Sequence, residues 1–398
     1  MSIRIGIVLN YKSAENKKDE LLNLKSKKLK WLSLGLKREY SKYVINSNNK
    51  KSVPADVALG LYIESHYPDV EVDYITPDEI STSRFKKNDI NFLLIYDLLE
   101  AFHLSDTSKF IKFKNVLKNS KNVYPPYQYQ KFINNKCSYY KYLSNKGIPV
   151  APTYCITKQK WFTRNPNNYV NKLITKVKKN KWESIIAKPV YGQEAIGFAK
   201  FISCKPIKKT VKTTKKKDSE SDQPNVKNSL NCKKKSILKY LSKNIPKYKS
   251  IVIQEYIPGF DDSNPETRTF FINGKFMYSM ITHSRTFGIQ PVQEGGTYKM
   301  PNKRYAQVKK LATKVMKNLP KLDLPGDLRN PILTRIDIGS GLKGVPNGLF
   351  VNEVEFVPSL FISDIDQSKY PVLKKIAKGL VSSAKEYSRS NSITNTIF

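Results

Sequence analysis

Residues 350–361 read FVNEVEFVPSLF, and the reading of this stretch decides the fold. Phe350 to Phe356 is short, rich in apolar residues and β-like, and Pro358 ends it. Glu353 and Glu355 lie two residues apart, so on a strand both point to the same face. Two like charges on one face are unfavourable unless a cation sits between them. Just upstream, residues 333–339 read LTRIDIG, a second β-like run that carries Asp337. Three carboxylates converging from two neighbouring strands make an oxygen-rich site of the kind that holds Mg²⁺. The plainer reading of the same residues is an edge strand with a solvated polar face.

The remaining composition sets the bounds. A chain of 398 residues suggests two or three domains, and 39% hydrophobic residues are enough for real cores. No run approaches the ~18 apolar residues of a membrane span. The opening residues MSIRIGIVLNYK read as a buried strand and not as a signal peptide, so a cytoplasmic location is expected. Cys137, Cys155, Cys204 and Cys232 are scattered with no CxxC pair, which argues for a reducing compartment without a disulfide framework or zinc site. With three histidines, His66, His103 and His283, histidine-based metal or triad chemistry is not expected. The formal net charge of +37 would suit an acidic partner such as nucleic acid or polyphosphate. However, the charge is spread along most of the chain and is mainly lysine, so it reads as solvated faces. Nucleic acid is therefore not the favoured partner. Oligomeric state is not legible.

The order of elements points to an α/β (α+β) chain. A strand over 3–9, a polar stretch over 12–51 with a possible helix and then a loop, a helix over 55–67, and strands over 70–75 and 90–96 make a small leading α/β domain. Asp97, at the end of that third strand, reads as a helix cap before it reads as a ligand contact. Pro125 and Pro126 mark a boundary. A helix through Leu143, a strand over 154–157 and a helix over 169–178 follow. The strand Ser184 to Lys188 then leads into PVYGQEAIGFAKF, where Gly192 and Gly197 flank a polar turn able to cradle phosphates with backbone N–H groups. Glycines serve turns more often than phosphates. Lys205 to Lys235 is a low-complexity, lysine-rich insert, expected to be a disordered or mobile loop. Ser250 to Tyr256 is a strand. Residues 267–271 and 275–283 form a hairpin around Asn273-Gly274, with Arg268 and Arg285 on its two strands. An amphipathic helix over 303–319, strands over 332–338 and 349–356, and a helix over 371–387 complete the chain.

The order of these parts resembles the ATP-grasp superfamily, which includes carboxylate–amine ligases such as glutathione synthetase and D-alanine–D-alanine ligase. The motifs run in sequence: a lysine before a helix ending in GIPV, a strand ending in Lys-Pro with a glycine loop, and a strand ending in QEYIPG. Then come a hairpin with arginine, a strand with Asp337, and a strand with two glutamates before a proline. The likeness covers roughly residues 120–390. It implies an ATP-grasp fold with a small N-terminal pre-ATP-grasp domain. The implied domains are 1–120, a central and lid subdomain 121–256 carrying the insert 205–235, and a C-terminal metal-binding subdomain 257–398.

The resemblance also assigns roles. It implies that Lys136 and Lys188 reach ATP phosphates, that Gly192 to Gly197 form the lid, and that Gln254, Glu255, Tyr256 and Ile257 form an adenine-binding hinge. Gln193-Glu194-Ala195 departs from the small residues usual in that lid. Asp262 or Glu266 is implied as the ribose-binding acid, and the spacing leaves both open. Asp337 and Glu353 resemble the magnesium-bridging carboxylates, and Glu355 stands where the family usually has Asn. Arg268, Arg285 and Arg335 are the candidates for stabilising the transferring phosphoryl group. The implied activity is an ADP-forming ligase that uses ATP and Mg²⁺, with Mn²⁺ as a substitute, on a small-molecule carboxylate and an amine acceptor through an acylphosphate. Two other classes stay open: an ATP-grasp kinase of a polyphosphorylated small molecule such as an inositol phosphate, and a non-catalytic nucleotide-binding protein.

Overall fold

The computed structural model describes residues 2–9, 21–24, 44–47, 50–94, 99, 102–103, 106–163, 165–192, 197–202, 230–257, 266–285, 288–293, 302–322, 330–362, 365 and 368–396. The strands are β1 (Ile3–Val8), β2 (Leu21–Asn23), β3 (Ile45–Ser47), β4 (Lys50–Pro54), β5 (Val70–Ile75), β6 (Ile90–Phe92), β7 (Val123–Tyr124), β8 (Thr153–Thr157), β9 (Ile185–Pro189), β10 (Ala199–Phe201), β11 (Ser250–Glu255), β12 (Glu266–Ile272), β13 (Lys275–Arg285), β14 (Gly288–Gln293), β15 (Leu333–Gly339) and β16 (Phe350–Glu355). The helices are α1 (Ala55–His66), α2 (Thr82–Lys86), α3 (Thr107–Asn119), α4 (Tyr127–Asn134), α5 (Lys136–Asn145), α6 (Lys158–Phe162), α7 (Pro166–Lys179), α8 (Lys234–Tyr248), α9 (Asn302–Asn318) and α10 (Val372–Thr396).

The chain divides into two compact units. One is Met1–Val150 together with Pro258–Phe398, and the other is Ala151–Ile257. The first holds a parallel sheet in the order β5-β1-β6-β7 and an antiparallel sheet in the order β14-β13-β12-β15-β16, with the small sheet β2-β4-β3. The parallel strands are largely apolar because helices cover them, with Asp73 and Asn91 the buried polar exceptions, and α10 packs against both α1 and β1. The α10 stripe Val372, Leu373, Ile376, Ala377, Leu380 and Ala384 is buried, at the spacing of one helix face. The second unit holds the antiparallel sheet β10-β9-β11-β8, with α8 packed on β11, α6 on β8, and α7 on those two helices.

The β12–β13 hairpin forms where its turn residues require it. Asn273 and Gly274 both take positive φ, 51° and 73°, as a two-residue primed turn demands. Beyond Ile338 the β15–β16 pairing shifts register: Asp337 pairs with Glu353, but Ile338 pairs with Val351. Asn352 is thus the extra residue of a β-bulge, a device that re-aims a side chain.

Several expectations are corrected. Within 12–51, the described residues are strands at Leu21–Asn23, Ile45–Ser47 and from Lys50 onward, because lateral pairing overrides their polar composition. The third core strand, expected over 90–96, stops at Phe92, although the apolar run of the sequence continues through Tyr96. The lysine-rich insert gives way to helix by Leu230: a 3₁₀ turn, Leu230–Lys233, leads straight into α8. Leu230, Ile237, Leu241 and Ile245 are buried, and their hydrophobic gain outweighs the surrounding lysines and the internal Pro246. The rest of that insert and Asp97 lie outside the described residues. The cysteine expectation fails as well, since Cys137, Cys155 and Cys232 are disulfide-bonded. A disulfide depends on Cα atoms approaching within about 4.4–6.8 Å, which spacing in sequence does not report. Among the described residues, no helix is long and apolar enough to cross a membrane.

Candidate active site

The site is built on three neighbouring strands of the first unit. Arg268 on β12 pairs with Asp337 on β15, which pairs with Glu353 on β16. One step along, Phe270 pairs with Arg335 and Arg335 with Glu355. The period of two puts Arg335 with Asp337, and Glu353 with Glu355, on one face. Arg335 sits at the centre. Its Nε donates to Asp337 Oδ1 at 2.8 Å, and its Nη2 donates to Asp337 Oδ2 at 2.9 Å and to Glu355 Oε1 at 2.6 Å. Glu353 has its own cation: Lys136 Nζ lies 2.8 Å from Glu353 Oε1. The cations that the paired glutamates require are therefore present, one for each.

Glu266 belongs to the same cluster. It accepts from Arg268 Nε at 3.2 Å and from Asn352 Nδ2 at 2.7 Å. Arg268 Nε is also 4.0 Å from Asp337 Oδ2, and its guanidinium lies over the Phe361 ring. The bulge is what brings Asn352 to this face. Helix α5 closes the other side. Asn135 caps it by accepting from the Ser138 N–H. Lys136, Tyr139, Tyr140 and Leu143 form its buried face, and the Tyr140 hydroxyl donates to the Asn352 carbonyl at 2.5 Å.

Four carboxylates thus meet three cations, and the excess negative charge is mostly out of water. Burial pushes the Asp337 carboxyl up to about 7; Arg335 pulls against this and Glu266 adds to it. Burial also raises Glu355, again opposed by Arg335 and reinforced by Glu353. Burial works against the charge on Arg335, but Asp337 and Glu355 outweigh it and hold the guanidinium protonated. A divalent cation would neutralise this excess. Asp337, Glu353 and Glu355 each offer one oxygen, all within 4.8 Å of one another. That is close to the ~4.2 Å between opposite ligands of an octahedral Mg²⁺. An all-carboxylate donor set suits a hard cation, so the residues fit the group.

The remaining sequence candidates stand elsewhere. Arg285 ends β13, five residues beyond the Met280 that pairs with Arg268, or roughly 17 Å along the strand. Its side chain, Asp262 and residues 193–196 lie outside the described residues. In the second unit, Lys188 is half-buried on β9 and pairs with Val252 of β11. Gln254 is buried, and its Nε2 donates to Thr153 Oγ1 at 2.9 Å. The Glu255 N–H donates to the Pro152 carbonyl and the Tyr256 N–H to Ser184, so neither amide is open to a ligand. Lys200 Nζ stands 3.6 Å from the centre of the Tyr256 ring. Gly197 has φ of +71°, and a Cβ there would come within 2.9 Å of Pro189 Cγ, so its backbone alone requires glycine. Gly192 is tight as well, with a Cβ meeting Pro189 at 3.2 Å.

Sequence reasoning missed Asn352, Tyr139 and Tyr140. The helical spacing from Lys136 could have shown the two tyrosines. Nothing in the sequence marks the bulge.

No known family profile matches the sequence, and no curated protein matches it. Solved structures do. D-cycloserine synthetase DcsG matches with a TM-score of 0.56 at 12% identity, over 95% of this chain and 99% of that one. D-alanyl-alanine synthetase A of Vibrio cholerae gives 0.55 at 12% identity, over 96% and 99%. D-alanine–D-alanine ligase of Bacillus anthracis gives 0.52 at 12% identity, over 98% and 99%, and it has also been solved with ATP. Likeness at this identity speaks for the arrangement of the chain and leaves its chemistry to its own residues.

Proposed function

We propose, on the premise that this chain has the ATP-grasp fold, that it is an ADP-forming carboxylate–amine ligase. The observation that carries the reading is the Asp337–Glu353–Glu355 cluster with Arg335 and Lys136 threaded through it. Mg²⁺, or Mn²⁺ in its place, held by those three carboxylates would supply charge neutralisation on the phosphate oxygens. In the reaction we infer, a substrate carboxylate oxygen attacks the γ-phosphorus of ATP and ADP leaves. An amine then attacks the acyl carbon, and phosphate leaves as the amide forms.

The protein's share is positioning and fixed charge, because phosphoryl transfer needs little covalent help. Arg268 and Arg335 present guanidinium groups on the carboxylate face, where phosphoryl oxygens would gain charge. Lys136 does the same from α5. Lys188, with Gly192 to Gly197, is proposed for the phosphates. Glu255 would meet adenine through its carbonyl, since its N–H is engaged, and Ile257 through its N–H. Glu266 is committed to Arg268 and Asn352, which favours Asp262 for the ribose. The division at 120 and 256 into leading, central and metal-binding parts belongs to the same proposal.

The kinase reading calls for a ring of surplus cations. Around the described cluster the cations are Lys136, Arg268 and Arg335, each already paired with a carboxylate, which favours the ligase. The test is ATP turnover with Mg²⁺ against pooled amino acids and, separately, inositol phosphates, with Glu353→Ala as control. Release of ADP and phosphate only with amino acids, abolished in the variant, is the expected result. ADP without free phosphate would replace the ligase by a kinase. ATP binding with no turnover would overturn the enzyme reading.

A further inference from the structure

Tyr139 is the least explained residue near the cluster. It is fully buried on α5, one turn from Lys136, with its ring centre 4.5 Å from that of Tyr140. Among the described residues its hydroxyl has no partner of hydrogen-bond geometry, although the neighbouring Tyr140 hydroxyl donates to Asn352. Buried hydroxyls are rarely left this way, and a phenylalanine would fill the same volume without the cost. The same helix reaches the carboxylate strand on both sides of Tyr139, through Lys136 to Glu353 at 2.8 Å and through Tyr140 to the Asn352 carbonyl at 2.5 Å. Burial first, then Tyr140 and the negative charges of Glu353 and Glu355, hold the phenol well above its ordinary range, so it is a neutral donor. Carboxylates that bind a metal are usually themselves hydrogen-bonded from behind, which fixes their orientation.

We propose that Tyr139 is a positioning residue of the metal site, whose phenol O–H donates to the Glu353–Glu355 carboxylate pair when a divalent cation is bound. The inference rests on the metal reading above. In the cation-bound protein the carboxylates no longer rely on Lys136 and Arg335 alone, and the orphaned donor gains its acceptor.

The test uses the full chain and Mn²⁺ as probe. Binding is followed by the electron paramagnetic resonance of free Mn²⁺, and thermal midpoints are measured in EDTA. Tyr139→Phe should raise the Mn²⁺ dissociation constant by about 10–100-fold, the usual effect of losing such a supporting partner. Its midpoint in EDTA should be equal to or above wild type, because an unpartnered hydroxyl has been removed. A packing role would lower the midpoint together with the affinity. Mn²⁺ affinity within about twofold of wild type, or a lowered midpoint in EDTA, would overturn the proposal. Glu353→Gln separates the two levels of the argument. If wild type binds no Mn²⁺, or if this variant binds it as well as wild type does, the metal site itself is wrong and the inference falls with it.

Discussion

Arg335→Met is the sharpest perturbation of the cluster. It keeps the length and apolar stem of the side chain but removes the guanidinium that holds Asp337 at 2.8 and 2.9 Å and Glu355 at 2.6 Å. The Arg335 side chain is 6% exposed and that of Asp337 2%, so water cannot take over its role. Removing one partner of a buried ion pair costs about 3–5 kcal/mol, chiefly for the charge left behind. Proton uptake limits the loss. Asp337 already titrates near 7 with Arg335 present and will titrate higher without it. The cost should therefore lie near ~3 kcal/mol at pH 6 and rise toward ~5 kcal/mol at pH 8. Urea unfolding in EDTA at both pH values measures it; with m near ~3 kcal/mol/M, the midpoint should fall by about 1 M at pH 6 and about 1.7 M at pH 8. Adding Asp337→Asn to the same variant should recover part of the loss, because the orphaned charge disappears. A loss below about 1 kcal/mol at both pH values, or no recovery in the double variant, would refute the picture of Arg335 as the counter-charge.

Four further outcomes follow from the structure. The folded pKa of Asp337, about 7, lies above its unfolded value, so its contribution to metal-free stability should be full below about pH 4 and be lost as pH rises to 7; the pH dependence of the urea midpoint in EDTA should flatten in Asp337→Asn. Mn²⁺ affinity should run the opposite way, tightening over pH 6 to 8 with proton release, which calorimetry in two buffers of different ionisation enthalpy would detect. Glu355→Gln keeps an oxygen for Arg335 but removes one carboxylate of the three, so Mn²⁺ binding should weaken by about tenfold or more while urea stability stays within about 1 kcal/mol. Gly197→Ala should destabilise the second unit by about 1–2 kcal/mol, because it places a Cβ at positive φ against Pro189, and limited proteolysis within Ala151–Ile257 would report it.

How much of this was legible depended on whether local pattern and tertiary demand agreed. Glu353 and Glu355 could be read together because strand period puts them on one face, Asp337 joins them through the pairing of two strands consecutive in the chain, and the hairpin could be read because Asn-Gly dictates its turn. Lys136 could be proposed only through family resemblance. Its partner Glu353 lies far along the sequence, and no local pattern links them. Helix α8 was hidden by a lysine run at its start and a proline near its end, although its apolar stripe was in plain view. The strand from Lys50 to Pro54 exists because Leu22 and Ile45 lie on either side of it. Asn352 and Glu266 joined the cluster through a one-residue register shift and a cross-strand contact, and neither has a signature in composition.

The unit that carries the cluster is interrupted. Lys136 precedes Ala151–Ile257 in the chain and Glu353 follows it. A ribosome adding about 5–20 residues per second takes roughly 10–40 s to travel from one to the other. Within that interval the continuous segment is completed and can fold, while the parallel sheet waits for α10. The nascent chain therefore carries an uncovered apolar sheet for most of its synthesis. Slower translation or a missing chaperone should reduce its yield before any change to the finished site could.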